Sequence, residues 1–463
     1  MKNGITDLQN NYNSYMEEQV VKMFSSEVGA NFRAFQHPGG FNYMTYDGLS
    51  YNHLTVECLD SLLQNNEEAG QLDLEESGFS KLYYNVLCST RYTLSQASQK
   101  KVNDAMTMYT AQASAVIQAY KNSGLPPLTA TTQAAAIAEI FKNCMTEFGG
   151  AVTKDCSIIP DDYLTLKLAM QELNNIAEVA AQLVMDMGNK NGVLASIIAN
   201  MKTPNDKNGG IPIDSDAASY YVGYKEIPDS NTLIGSLHTS GNALTINVSG
   251  ETYGADSMNV HMDNEATAVI PILGLIDIET EHENTFDMNK LKTTSTDFSA
   301  QITYSGITVV PVQPVPSAID GQSGWYNDTS LLKEIKDKTN TDDDGYKLVD
   351  SHYNVDELFG GDLARLKSLL ISKTPSITIT LSNINMEYAR SFFSMNTKVT
   401  ITLFGFIKLG QHSNSYETSN VQYNEEFSSV TLTFGEPDVS GTPDDKKLTA
   451  FIMGGVPDYP GMN

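Results

Sequence analysis

The hydrophobic positions follow two different periods, and the change between them divides the chain. From residue 79 to residue 122 there is no proline and no internal glycine, and Val102, Met106, Tyr109, Ala113, Val116 and Tyr120 step alternately by four and three. That spacing lines up one face of a helix. The glycine and prolines of "NSGLPPL" stop it, and an Ala-rich stretch, "TATTQAAAIAEIFKNCMTEF", follows. Beyond Pro160, Leu166, Met170, Leu173, Ala177, Ala180, Val184 and Met187 repeat the four-three step, and Leu194, Ile198 and Met201 keep its phase. Heptads sustained in one phase predict a long helix packed in coiled-coil fashion. Gly188 and Gly192 fall in its middle and predict a hinge, since each costs about 1 kcal/mol against alanine. Together the periods predict three or four antiparallel helices over 79–203, the longest about 60 Å at ~1.5 Å per residue.

After the Pro-, Gly- and Asp-containing stretch "TPNDKNGGIPIDSD" the period becomes two. "ALTINVS", "FSAQITYSGITVVPV", "SITITLSNI", "KVTITLFGFIKLG" and "SSVTLTF" alternate apolar with Thr, Ser and Asn, as antiparallel strands with one buried face do. Short helices are predicted at "TSLLKEIKD" and at "GGDLARLKSLLIS", the second with Asp362 as its N-cap. The expected fold is α+β and multidomain, with an N-terminal antiparallel helical bundle followed by a sandwich-like antiparallel β-rich domain with helical insertions. Its expected parts are an aromatic-rich segment 1–60 that pairs with the β domain, a bundle 61–203, a linker 204–216 and a β-rich domain 217–463.

Composition narrows the partners. At 463 residues the chain exceeds one ordinary core. Fifty-six acidic against 29 basic residues give a formal charge of −27, which repels nucleic-acid phosphates and anionic headgroups. Only 18% of residues are charged, so Asn, Ser, Thr, Gln and Tyr supply most of the polar surface. The N-terminus has no continuous apolar core or small-residue cleavage site, and "AVIPILGLI" at 268–276 is the longest strictly apolar run. The expectation is a soluble chain made in the cytoplasm, with release without a signal peptide left open. Cys58, Cys88, Cys144 and Cys156 form no C-x-x-C pair and read as buried thiols, with Cys144 and Cys156 the one pair close enough in sequence for a bridge.

Candidate chemistry is sparse. Phosphate-loop, dinucleotide, nucleophile-elbow and H-E-x-x-H motifs are absent, and the seven histidines are scattered. "NTDDDGYKLVDS" at 340–351 places Asn340, Asp342 and Asp344 at the first three ligand positions of a calcium loop and Gly345 at its glycine. Ser351 stands where the bidentate glutamate belongs, so a solvated acidic turn is the stronger reading. In the apolar strip, Val269, Ile270, Ile272, Leu273, Leu275 and Ile276 form either buried strands or a membrane-active segment. Asp277, Glu279, Glu281, His282 and Glu283 beside it offer a further, weaker metal reading. Trp325 reads as a core plug, with ligand stacking as its alternative. No cofactor is expected.

By analogy of layout alone, these features point to a non-enzymatic two-domain protein in the style of helical pore-forming or insecticidal toxins. The bundle would serve membrane engagement or assembly, and the β-rich domain recognition. A self-assembling structural protein, the subunit of a particle, inclusion or filament, is the alternative. The expected partners are further copies or a partner subunit, with a membrane as a third option and nucleic acid excluded.

Overall fold

The computed structural model describes residues 2–35, 40–42, 45–46, 50–51, 53–66, 71–149, 156–213, 219–225, 230–253, 257–263, 267–271, 274–280, 286–318, 323–349, 352–394, 398–409, 416–434 and 449–460. The chain is α+β, with several antiparallel sheets and one long helix. It divides into two compact units, one of residues 1–86, 197–329 and 353–463, the other of 87–196 and 330–352.

In the first unit a ten-stranded antiparallel sheet runs in the order Thr267–Pro271, Ser257–Met262, Ala243–Tyr253, Asp297–Ser305, Ser376–Ser382, Ser429–Phe434, Tyr416–Asn424, Lys398–Leu403, Ile276–Thr280, and Ile407–Leu409 also pairs with Lys398–Leu403. The period-two pattern does what it predicts, because Phe298, Ala300, Ile302 and Tyr304 face inward while Asp297, Ser299 and Gln301 face solvent. Each fully buried Ile or Leu contributes roughly 1.5–3 kcal/mol.

Helix Lys2–Met23 supplies the other side of this core. Leu8, Tyr12, Met16 and Val20 step by four and are buried in it. The Tyr12 and Tyr304 hydroxyls are hydrogen-bonded at 2.7 Å. A Cβ at Gly4 would collide with the carbonyl oxygen of Val269, so the helix lies in close contact with the edge strand Thr267–Pro271. That contact covers an edge otherwise open to pairing.

A seven-stranded sheet completes the unit, with Arg33–Ala34, Thr449–Asp458, Arg365–Ser372, Ser61–Asn66 and Gln71–Gly78 in order, Thr308–Pro311 on Arg365–Ser372 and Gly40–Asn42 on Thr449–Asp458. The segment "RLKSLLIS", expected as a helix, is therefore a strand. It pairs on both sides and buries Leu366, Leu369, Leu370 and Ile371, and a short apolar run of this kind has no period of its own. Asp362 caps no helix and closes a π-helical turn, Leu358–Asp362.

The proline-free stretch from residue 79, which passes into the second unit at residue 87, is not one helix. Helix Phe79–Cys88 ends, Thr90–Thr93 forms a strand paired with Gly345–Leu348, and a new helix, Gln96–Lys121, begins at the N-cap Ser95. Gln133–Phe148 and Leu164–Lys202 follow, as the prolines, glycines and heptads predict. Ala113, Val116 and Tyr120 meet Ile137, Ile140 and Cys144, and Leu166, Met170 and Leu173, in one core. Gln112 donates to the Ala169 carbonyl at 3.0 Å, and Asn191 brackets the backbone of Tyr92, which sets Gln96–Lys121 and Leu164–Lys202 antiparallel. Helix Leu164–Lys202 is unbroken through Gly188 and Gly192, so the expected interruption is absent. The helical hydrogen bonds on either side carry the two glycines.

Candidate functional site

The acidic turn has a structural task. Asp344 accepts from the Ser95 amide at 2.6 Å through Oδ1 and from the Ser98 hydroxyl at 2.8 Å through Oδ2, and Asp342 accepts from the Gln96 amide at 2.8 Å. The Ser95 and Gln96 donors are backbone amides at the opening of helix Gln96–Lys121, where negative charge is favoured. Burial pushes the Asp344 carboxyl up, but the hydrogen bonds from Ser95 and Ser98 outweigh it and leave the carboxyl below its usual value. Asp343 turns to Lys338 at 2.8 Å, so two of the candidate ligands, Asp342 and Asp344, are committed to the helix and Asn340 is left without companions for calcium. Among the described residues no group of three or more His, Cys, Asp or Glu is placed to hold a metal ion.

The apolar strip enters strand at Thr267–Pro271 and again at Ile276–Thr280. Ile270, Leu275 and Ile276 are buried, Val269 on the edge strand is exposed, and Ile272 and Leu273 lie outside the described residues, as do Glu281, His282 and Glu283. Asp277 and Glu279 lie on Ile276–Thr280, paired opposite Thr402 and Thr400. Among the described residues no helix is long and apolar enough to cross a membrane. The four cysteines are free thiols, and Cys144 and Cys156 share the helical core without a bridge. Burial, with Cys156 beside it, pushes the Cys144 thiol up to about 11, and burial alone takes Cys58 to about 12, so neither is a ready nucleophile.

One site was not legible in the sequence. Asp60, in the first unit, accepts from the Ser80 amide at 3.0 Å, the Ser80 hydroxyl at 2.6 Å, the Tyr221 hydroxyl at 2.8 Å and the Tyr224 hydroxyl. Burial pushes its carboxyl above the ordinary value, and these hydrogen bonds pull it back only in part. Nearby, Arg365 pairs with Asp458 at 2.5 Å and donates to the Val312 and Leu366 carbonyls and the Tyr326 hydroxyl. Trp325 is buried among Phe79, Tyr83, Tyr224 and Tyr326 and donates to the Gly223 carbonyl at 2.7 Å. Every oxygen of Asp60 is used within the protein, which makes the cluster a staple between distant segments rather than a reaction centre.

Two surfaces are unusual. The first is the outward face of the ten-stranded sheet, where Asn247, Ser249, His261, Asp263, Ser299, Gln301, Thr378 and Thr380 line a depression of about 430 Å³. The second is on helix Leu164–Lys202. Along "AEVAAQLVMDM", residues 177–187, Glu178, Gln182 and Asp186 step by four on one narrow line and the remaining circumference is apolar, yet none of these residues is buried. Helices apolar around most of their circumference are ordinarily buried. Val179, Val184 and Met185 are at least 45% exposed there, and Met106 and Met108 on Gln96–Lys121 are at least 55% exposed. Comparison with protein-family models, curated proteins and solved structures found no match.

Proposed function

We propose that this is a non-enzymatic two-unit protein whose helices act as an assembly bundle while the β-rich unit recognises a ligand. The observation that carries this reading is the bare apolar arc of residues 177–187, since a folded chain leaves such a surface open mainly where something else covers it. A second copy is the proposed occupant. Helix Gln96–Lys121 carries Lys101 and helix Leu164–Lys202 carries Glu178 and Asp186, while Lys100 is already paired with Asp104, so a two-fold axis can set the lysine of one copy against the acids of the next.

Membrane engagement is the second reading, because an apolar arc of this kind also suits a helix lying in the headgroup plane. The observation against it is that Ile270, Leu275 and Ile276, three of the six residues of the membrane-active alternative, are committed to the sheet core. Sedimentation velocity on the full chain across the micromolar range separates the two. Dimers or larger species that Val184→Glu with Met106→Glu returns to monomer, at unchanged helical circular dichroism, are expected. A monomer at every concentration that releases dye from zwitterionic liposomes would favour the membrane instead, and a monomer inert to liposomes would sink both.

A further inference from the structure

We infer that the outward face of the ten-stranded sheet is a binding groove for a neutral carbohydrate chain. The inference rests on the recognition role proposed above and gives it a ligand class.

The register assembles the groove from four segments distant in sequence. His261, Ser249, Ser299 and Thr380 stand opposite one another across four strands. Thr431 extends that row, held to Thr380 by a hydroxyl hydrogen bond of 3.0 Å. One step along each strand pair, Asn247, Gln301, Thr378 and Thr433 make a second row. Strands lie about 4.8 Å apart and same-face residues about 6.8 Å apart, so the two rows form a regular lattice of hydrogen-bonding groups.

Part of this lattice is fixed in place. Asp263 accepts from the Asn247 amide at 2.7 Å and from its side-chain Nδ2 at 3.1 Å, and Gln301 Nε2 donates to Asn247 Oδ1 at 3.0 Å. This chain orients the amides of Asn247 and Gln301, so their ordering is not left to the moment of binding. By contrast, the hydroxyls of Ser249, Ser299 and Thr378 line the depression and make no hydrogen bond among the described residues.

The chemistry selects the ligand class. Among the described residues the groove holds no lysine or arginine, so it offers no counter-charge to a phosphate, sulfate or carboxylate, and a chain of charge −27 repels all three. Its outward side chains among the described residues include no Phe, Tyr or Trp and no large apolar group, the anchors on which protein interfaces depend. What it presents is mainly hydroxyls and amides that both donate and accept, with the His261 imidazole and the Asp263 carboxylate beside them, in an open depression of about 430 Å³. A polyhydroxylated, uncharged chain laid across the strands matches that surface.

Calorimetric titration of the full chain with cellohexaose, maltohexaose, mannohexaose and N-acetylchitohexaose tests the inference, with a sulfated hexasaccharide as the charged control. At least one neutral sugar is expected to bind and the sulfated one not to. Gln301→Ala should weaken that binding about tenfold, and Ser299→Tyr, an exposed change that fills the groove, should abolish it at unchanged melting temperature. Binding by none of the neutral sugars overturns the inference, as does binding that neither variant disturbs. Self-association is read separately by sedimentation, so loss of either property leaves the other standing.

Discussion

Asp60 is held by Ser80, Tyr221 and Tyr224, and its proton is linked to folding because burial raises its carboxyl above the value it has in the unfolded chain. A raised native value means that its contribution to stability is complete below the ordinary carboxylate range and is lost as pH rises through the native value. The melting temperature of the wild type should therefore exceed that of Asp60→Asn by most in acid, and the gap should narrow toward neutral pH. A gap that widens with pH would show that the hydrogen bonds outweigh burial and hold the native value below the unfolded one. Asn13 is a second residue-scale case: its side chain is buried and its Nδ2 has no hydrogen-bond partner among the described residues. An unmet buried donor costs about 1–3 kcal/mol, so the near-isosteric Asn13→Leu should stabilise the protein by about 1 kcal/mol in urea titration.

Elements in this chain begin and end where side chains from elsewhere meet them. Helix Gln96–Lys121 starts at Ser95 because Asp342 and Asp344, some 250 positions along the chain, accept its first amides. Asp344→Ala removes one cap and should cost about 1–2 kcal/mol. Millimolar calcium should leave the melting temperature of the wild type unchanged, and a rise abolished by Asp342→Asn would restore the calcium reading. The sequence contains the acids and the Ser95 cap, but nothing in it pairs them. The helix Lys2–Met23 is a different case, since Leu8, Tyr12, Met16 and Val20 carry a four-residue step that could have been read directly. Its many Asn and Gln residues obscured that period.

At the scale of the molecule, two units with separate cores predict two melting transitions in calorimetry, as multidomain chains commonly give. Asp344→Ala should lower the one belonging to the helices, and Asp60→Asn the one belonging to the sheets. A single transition that both variants shift equally would contradict this. The sequence by itself determined the α+β class, the helices at 133–148 and 164–202, the outward Thr, Ser and Asn of the strands and the strongly acidic charge, because each is a local property of period or composition. Tertiary structure alone decided that "RLKSLLIS" is a strand, that residues 90–93 leave the helix to pair with 345–348, and that Asp60 meets two tyrosines more than 160 positions away. Those outcomes turn on which partner offers a hydrogen bond or a buried face. The same holds for both proposed surfaces, since a heptad stripe says that a helix has an apolar side, and only the packed chain says which part of that side is left uncovered.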